Sequence, residues 1–273
     1  MNKQNISLGI ELECECNGKV HKIPMGDYHS GKPIRHLRGW RAETDNSLRT
    51  SGEFGNYGYT IEMISPIFKT KTAFMNGLKR FQEKISKKGT YELNQVISFN
   101  SSCGSHIHFS RDNYLFNKLA IFDIFPEVRK FFFDKLSKSN IQSKEQILQH
   151  YNRSYASELT QCNFKQIRHS EFNFHSELQG KGMEWRSPNM LGIKTWTEFF
   201  EFWSIIYDTL KFLFVKASKF RQRINVNIFV GKEDYLNQKD IFIKKLVKNK
   251  KSTRHIKIKI IRLEPMEEIK CVI

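Results

Sequence analysis

Three glutamates alternate with apolar residues in Gly9-Ile10-Glu11-Leu12-Glu13-Cys14-Glu15. Successive side chains of a β-strand take opposite faces, so Glu11, Glu13 and Glu15 share one side, with neighbours about 7 Å apart. Ile10, Leu12, Cys14 and Cys16 share the other. At an effective dielectric of 20, charges at that spacing repel by about 2 kcal/mol per pair. Such a face calls either for water or for a cation. Hard divalent ions take oxygen ligands, and Mg2+ in phosphate-transfer sites takes one or two carboxylates plus substrate phosphates.

Four further stretches carry polar residues on strand-like segments. Glu62 interrupts the apolar run TIEMISP (60–66), and His106 and His108 share a face in CGSHIHFS (103–110), opposite Ile107 and Phe109. In GMEWRSP (182–188), Glu184 and Arg186 share a face opposite Met183 and Trp185; in RHSEFNF (168–174) the facing is open. Taken singly, a strand histidine is more often structural than a ligand, and a cross-strand salt bridge explains Glu-x-Arg. Together, carboxylates, imidazoles and a guanidinium lie on the polar sides of strands whose other sides are core-like. That combination describes a funnel lined by metal ligands and phosphate donors.

The elements that would position these residues can be read from periodicity. The pattern predicts strands over 8–16, 59–65, 105–110, about 166–174 and 183–187. Apolar Phe74, Leu78, Phe81 and Ile85 predict a helix within 69–87, and a second helix over 114–136 is expected to break near Pro126. Residues 195–215 read as a buried amphipathic helix with Glu198, Glu201, Asp208 and Lys211 on one face. Segment 17–39 reads as a long surface loop. Beyond the amphipathic helix, 224–230, a lysine-rich stretch to about 248, and 255–263 form a basic strand-helix-strand tail. No regular βαβ alternation, GxGxxG or P-loop sequence occurs, so the expected class is α+β with a mostly antiparallel sheet. The expected division is a catalytic domain over 1–220 and an extension over 221–273.

The chain has 273 residues, 39% of them hydrophobic, enough for a sizeable core. Five cysteines and no secretion-type segment favour reduced thiols, with Cys14 and Cys16 in the core. With no apolar run long enough to span a bilayer, the expectation is a soluble, cytoplasmic protein without membrane insertion. Net charge is +17; residues 211–273 hold 17 Lys and Arg against 6 Asp and Glu, so an anionic partner for the tail is expected.

Taken in order, GIELE, Trp40 with DNSL (45–48), IEMISP, CGSHIH, RHSEFNF and MEWRSP resemble the motifs of the amidoligase family, related to glutamine synthetase and the glutamate–cysteine ligases. The resemblance spans roughly residues 7–215. It implies a curved, mostly antiparallel sheet flanked by helices and forming an active-site funnel. The implied reaction is ATP-dependent: a substrate carboxylate takes the γ-phosphoryl group, and an amine displaces phosphate from the acyl phosphate to leave an amide. It implies two or three Mg2+ ions, with Mn2+ as a substitute, and carboxylate and amine substrates that include peptides, proteins or amino acids.

Matched motif by motif, the resemblance makes Glu11, Glu13, Glu62 and Glu184 metal ligands. Of His106 and His108, one is the metal-binding histidine and the other approaches phosphate or substrate; the assignment adopted gives His106 to the metal and His108 to catalysis. Arg186 would stabilise charge on the transferring phosphoryl group. Asp45 would orient the amine or a metal-bound water, and Arg153 and Arg168 are further phosphate-binding candidates. Asn46 replaces the usual glycine of the Asp45 motif, Ser105 takes a usually apolar position, and RTSGEFGNYGY (49–59) lengthens the link to Glu62. Glu15 has no counterpart and, near the end of its strand, is read as facing water.

Two other classes compete. The basic tail and plentiful aromatics suit a nucleic-acid-binding protein. A metal-dependent hydrolase would use the same Glu/His set without ATP.

Overall fold

The computed structural model describes residues 6–35, 37–110, 115–151, 172–173, 183–186, 188–219, 225–230 and 257–262. The chain divides into two compact units, one formed by Met1–Tyr114 with Phe125–Leu213, the other by Leu115–Ile124 with Phe214–Ile273.

The first unit is α+β, with an antiparallel sheet built around the glutamate strand, β1 (Ser7–Asn17). The other strands are β2 (Lys32–Pro33), β3 (Arg41–Glu43), β4 (Gly58–Ile64), β5 (Ile97–Ser98), β6 (Ser105–Ser110), β7 (Phe172–Asn173) and β8 (Met183–Trp185). Their order is β2-β3-β4-β1-β6-β8-β7, with β5 also pairing β1. Length puts β1 at the centre. Its first half runs beside β6 and its second half beside β4 and β5.

The apolar side of this sheet is core, as the alternation requires: Leu8, Ile10, Leu12, Cys14, Ile61, Met63, Ile107, Phe109, Met183 and Trp185 are all buried. Helix α1 (Lys71–Ile85) starts at Thr70, whose hydroxyl accepts from the Ala73 N–H, and buries the predicted stripe of Phe74, Leu78, Phe81 and Ile85. A short α2 (Leu93–Val96) leads into β5. Helix α3 spans Leu115–Ser137, α4 Lys144–Gln149 and α5 Trp196–Lys219. Aromatic packing joins the layers. Trp40 stacks on Phe81 at 4.8 Å, Phe81 lies parallel to Phe199 at 6.0 Å, and Phe132 meets Trp185 edge-on at 5.3 Å. Trp185 buries its indole and donates to the Tyr151 hydroxyl at 3.0 Å.

One expectation fails locally. Helix α3 runs through Pro126 instead of breaking there. Proline removes one backbone hydrogen bond, but buried Phe125, Val128, Phe132 and Leu136 continue a single apolar stripe past it, and that packing carries the helix. The strand expected over 166–174 is present as β7; its remaining residues lie outside those described. In the second unit, β9 (Asn225–Val230) and β10 (Lys257–Arg262) pair in parallel. The lysine-rich stretch between them lies outside the described residues. Among the described residues no helix is long and apolar enough to cross a membrane.

Candidate metal centre

Antiparallel partners point to the same face of a sheet, so register turns polar positions scattered along the chain into rows. One row runs Glu43, Glu62, Glu13 across β3, β4 and β1. The next runs Arg41, Ile64, Glu11, His106 across β3, β4, β1 and β6. His108 then pairs with Glu184, and Glu184 with Asn173.

Glu11 is the pivot. Its Oε2 lies 3.1 Å from His106 Nδ1 and its Oε1 2.9 Å from His108 Nε2, so the two oxygens serve different imidazoles. His106 also approaches Glu13 Oε1 and Glu184 Oε1, each at 3.5 Å. Two triads have ligand atoms within 4.8 Å of one another: Glu11, His108 and Glu184, and Glu11, Glu62 and His106. They share Glu11.

Burial and mutual proximity set the charges. Burial opposes ionisation of Glu11, but hydrogen bonds from His106 and His108 outweigh it and hold its carboxyl well below the usual range. Burial pushes Glu13 up. Burial, followed by the neighbouring Glu11 charge, pushes Glu62 up to about 9. Burial disfavours the imidazolium of His106, yet the Glu13 charge, the Glu11 hydrogen bond and Glu184 raise it to about 9. His108 is raised as well, against its burial, chiefly by Glu11.

Of the residues singled out by spacing, Glu11, Glu62, His106, His108 and Glu184 come together in the two triads. Glu13 stands beside them: its Oε2 accepts the Gly104 N–H at 2.5 Å while its other oxygen faces His106. Arg186 is adjacent, with Nε 3.4 Å from Glu184 Oε1 and Nη2 3.4 Å from His106 Nε2. Asp45 lies in the turn after β3, where its Oδ1 accepts the Ser47 N–H and its charge reaches Glu13. Arg153 and Arg168 lie outside the described residues.

Glu15 corrects the expectation that it faces water. It is fully buried, and its Oε2 accepts from both the N–H and the hydroxyl of Ser51 at 2.6 Å. Two participants have no strong sequence signal. Glu43 is buried in the same row as Glu62 and Glu13, but its strand has only three residues, too few for alternation to register. Gly104 brings its backbone against Glu13, where an added Cβ would sit 3.0 Å from Glu13 Oε2 and 3.3 Å from His106 Nε2. The CGS preceding the histidine strand is the sequence trace of that approach.

The donor chemistry fits a divalent cation. Carboxylate oxygens suit Mg2+ and Mn2+, and the imidazoles shift the preference toward Mn2+. Buried carboxylates set directly opposite one another are the feature that a cation would relieve. Compared with family models, curated proteins and solved structures, the chain matches none.

Proposed function

We propose that the chain is an ATP- and Mg2+-dependent carboxylate–amine ligase, with a sheet of the glutamine-synthetase type as one wall of its site. The observation that carries this reading is Glu11, shared by two carboxylate–imidazole triads with Arg186 at their edge. Two adjacent cation positions beside a guanidinium suit a phosphoryl group better than a single-ion hydrolytic site does. The order of the motifs along the chain agrees with the amidoligase resemblance.

In this reading Glu11, Glu62 and His106 hold one Mg2+ or Mn2+ ion and Glu11, Glu184 and His108 the other, with Glu13 beside His106 as a further metal carboxylate. Bound divalent ions neutralise phosphate oxyanions and align donor with acceptor. Arg186 offers a planar fork to the transferred phosphoryl group. Through that second ion His108 acts at phosphate or substrate, and Asp45 orients the incoming amine. Arg153 and Arg168 are assigned to ATP phosphates. The division into a catalytic part over 1–220 and a basic extension that recruits an anionic partner belongs to the same proposal, as does a cytoplasmic location.

The test is phosphate release from ATP by the full chain, measured with mixtures of carboxylates and amines and followed by mass spectrometry of the products. The expected result is release that requires Mg2+ or Mn2+ and both substrates, with an amide formed. Metal-dependent hydrolysis of a substrate without ATP would replace the ligase reading with the hydrolase one.

A further inference from the structure

Segment 17–39 is not simply a loop. Lys32–Pro33 pairs with Arg41 and Ala42, and the turn between is closed by its own backbone. Ile34 N–H donates to the Trp40 carbonyl at 2.9 Å, Leu37 N–H to Ile34 at 3.0 Å, and Trp40 N–H to Leu37 at 3.1 Å. Ile34, Leu37 and Trp40, three residues apart, are all buried. Gly39 turns the chain at φ +82°, where an added Cβ would sit 2.8 Å from Pro66 Cβ, so the turn is pressed against the end of β4.

Each buried anchor is followed by an exposed arginine: Arg35, Arg38 and Arg41. The three-residue period that seats the apolar side therefore leaves three arginines at exposed positions. Among the described residues none of them forms an ion pair or a side-chain hydrogen bond. Residues 17–41 contain six Lys and Arg against one Asp, so the charge is not neutralised locally. A cationic segment that only keeps a protein dissolved needs no buried anchor under every arginine.

Arg41 pairs with Ile64, and Ile64 with Glu11, so Arg41 lies on the carboxylate face, two strands from the pivot of the candidate centre. The cationic hairpin is thus joined to the site face through Arg41.

We propose that hairpin 32–41 docks an acidic polypeptide segment, and that a side-chain carboxylate of this segment is the acid substrate. The substrate role rests on the ligase reading; the docking does not. Guanidinium forks bind carboxylates bidentately. A cationic hairpin joined to the site face through Arg41 favours a substrate carrying several negative charges over one carrying a single carboxylate. Nucleic acid fits less well. Single strands are gripped by stacking as well as charge, and Trp40 is turned inward against Phe81.

The experiment is fluorescence anisotropy with the full chain and a labelled peptide of alternating Glu and Ser, without ATP or metal. It compares the wild type with the triple variants Arg35→Ser/Arg38→Ser/Arg41→Ser and Arg35→Lys/Arg38→Lys/Arg41→Lys. The serine variant should bind the peptide roughly tenfold more weakly or worse, the lysine variant should retain most of the affinity, and added salt should weaken the wild type. Thermal midpoints should agree among the three proteins because the substituted side chains are exposed. Equal peptide affinity in the wild type and the serine variant overturns the proposal. So does tighter wild-type binding to a single-stranded RNA of equal charge, if that binding is what the serine variant loses. Because binding is read without ATP or metal, its outcome is independent of the ligase reading, which the phosphate-release experiment with both substrates decides.

Discussion

Glu13 and Glu62 are direct cross-strand partners on β1 and β4, and both carboxylates are buried. Like charges opposite one another destabilise a sheet, and burial removes the water that would screen them. Glu62 responds with its proton held up to about 9, by burial first and then by Glu11. His106 supplies positive charge beside Glu11 and Glu13. A fold that keeps this arrangement carries an electrostatic cost that a bound cation would remove.

Divalent metal should therefore stabilise the folded chain. A ligand at a hundred times its Kd contributes about 2.7 kcal/mol, which for a protein of this size corresponds to about 5–10 °C in thermal midpoint. Differential scanning fluorimetry with Mn2+ and Mg2+ should show an upward shift, larger with Mn2+ and reversed by a chelator. An unchanged midpoint at millimolar Mn2+ would falsify the metal assignment.

Glu11→Gln and Arg186→Ala should separate binding from chemistry. Replacing Glu11 removes the carboxylate common to both triads, and the Mn2+-induced thermal shift should vanish, with affinity down by about a hundredfold or more. Arg186 belongs to neither triad, so its alanine variant should keep the shift, while the Mg-ATP turnover that the proposed ligase activity requires should fall about a thousandfold. Isothermal titration with Mn2+ beside a phosphate-release assay checks both. Equal loss of metal binding in the two variants would place Arg186 in a structural role.

What was legible in the sequence was local. Period-two alternation in β1 and β6 announced which residues share a face, and helical spacing at Phe74, Leu78, Phe81 and Ile85 announced the buried stripe of α1. What was hidden depends on partners distant along the chain. Glu15 continues the alternation of Glu11 and Glu13, but Ser51 and Gly58 decide that it is buried. Glu43 joins the carboxylate row only through its register with Glu62. Pro126 reads as a break because proline costs a hydrogen bond locally, whereas the packing that overrides it comes from elements far away in sequence.

Glu15 and Gly58 should be energetically coupled. Glu15 Oε1 is buried without a hydrogen-bond partner among the described residues, in the space left by the missing side chain of Gly58. The Gly58 backbone is ordinary extended chain, so proximity alone demands glycine there. Gly58→Ala should cost about 1–3 kcal/mol by overpacking, and Glu15→Ala should cost a similar amount by releasing Ser51. With Glu15 removed, the added methyl finds room, so the double variant should be more stable than the sum of the single losses predicts by about 1 kcal/mol or more. Urea unfolding of the four proteins measures this, and simple additivity would show that the two residues do not press on one another.

Glu198 sets a pH dependence away from the metal centre. It is the third helical residue of α5, and it accepts from the N–H groups of Gln142 at 2.8 Å, Lys194 at 3.1 Å and Thr195 at 3.2 Å, while its own N–H donates to the Thr195 hydroxyl. This is a capping box extended to a neighbouring loop. Burial opposes the charge, but these donors outweigh it and hold the carboxyl below its ordinary value. A depressed folded-state pKa means that the stabilisation is complete above the unfolded value of about 4.3, and is lost as pH falls through the folded one. Glu198→Gln should cost about 1–2 kcal/mol at pH 7. The difference from wild type should shrink as the pH is lowered through the acid range, because the wild type then loses what the variant never had. Urea midpoints at neutral and acid pH test the sign; a gap that widened on acidification would mean that the protonated form of Glu198 is the one the fold prefers.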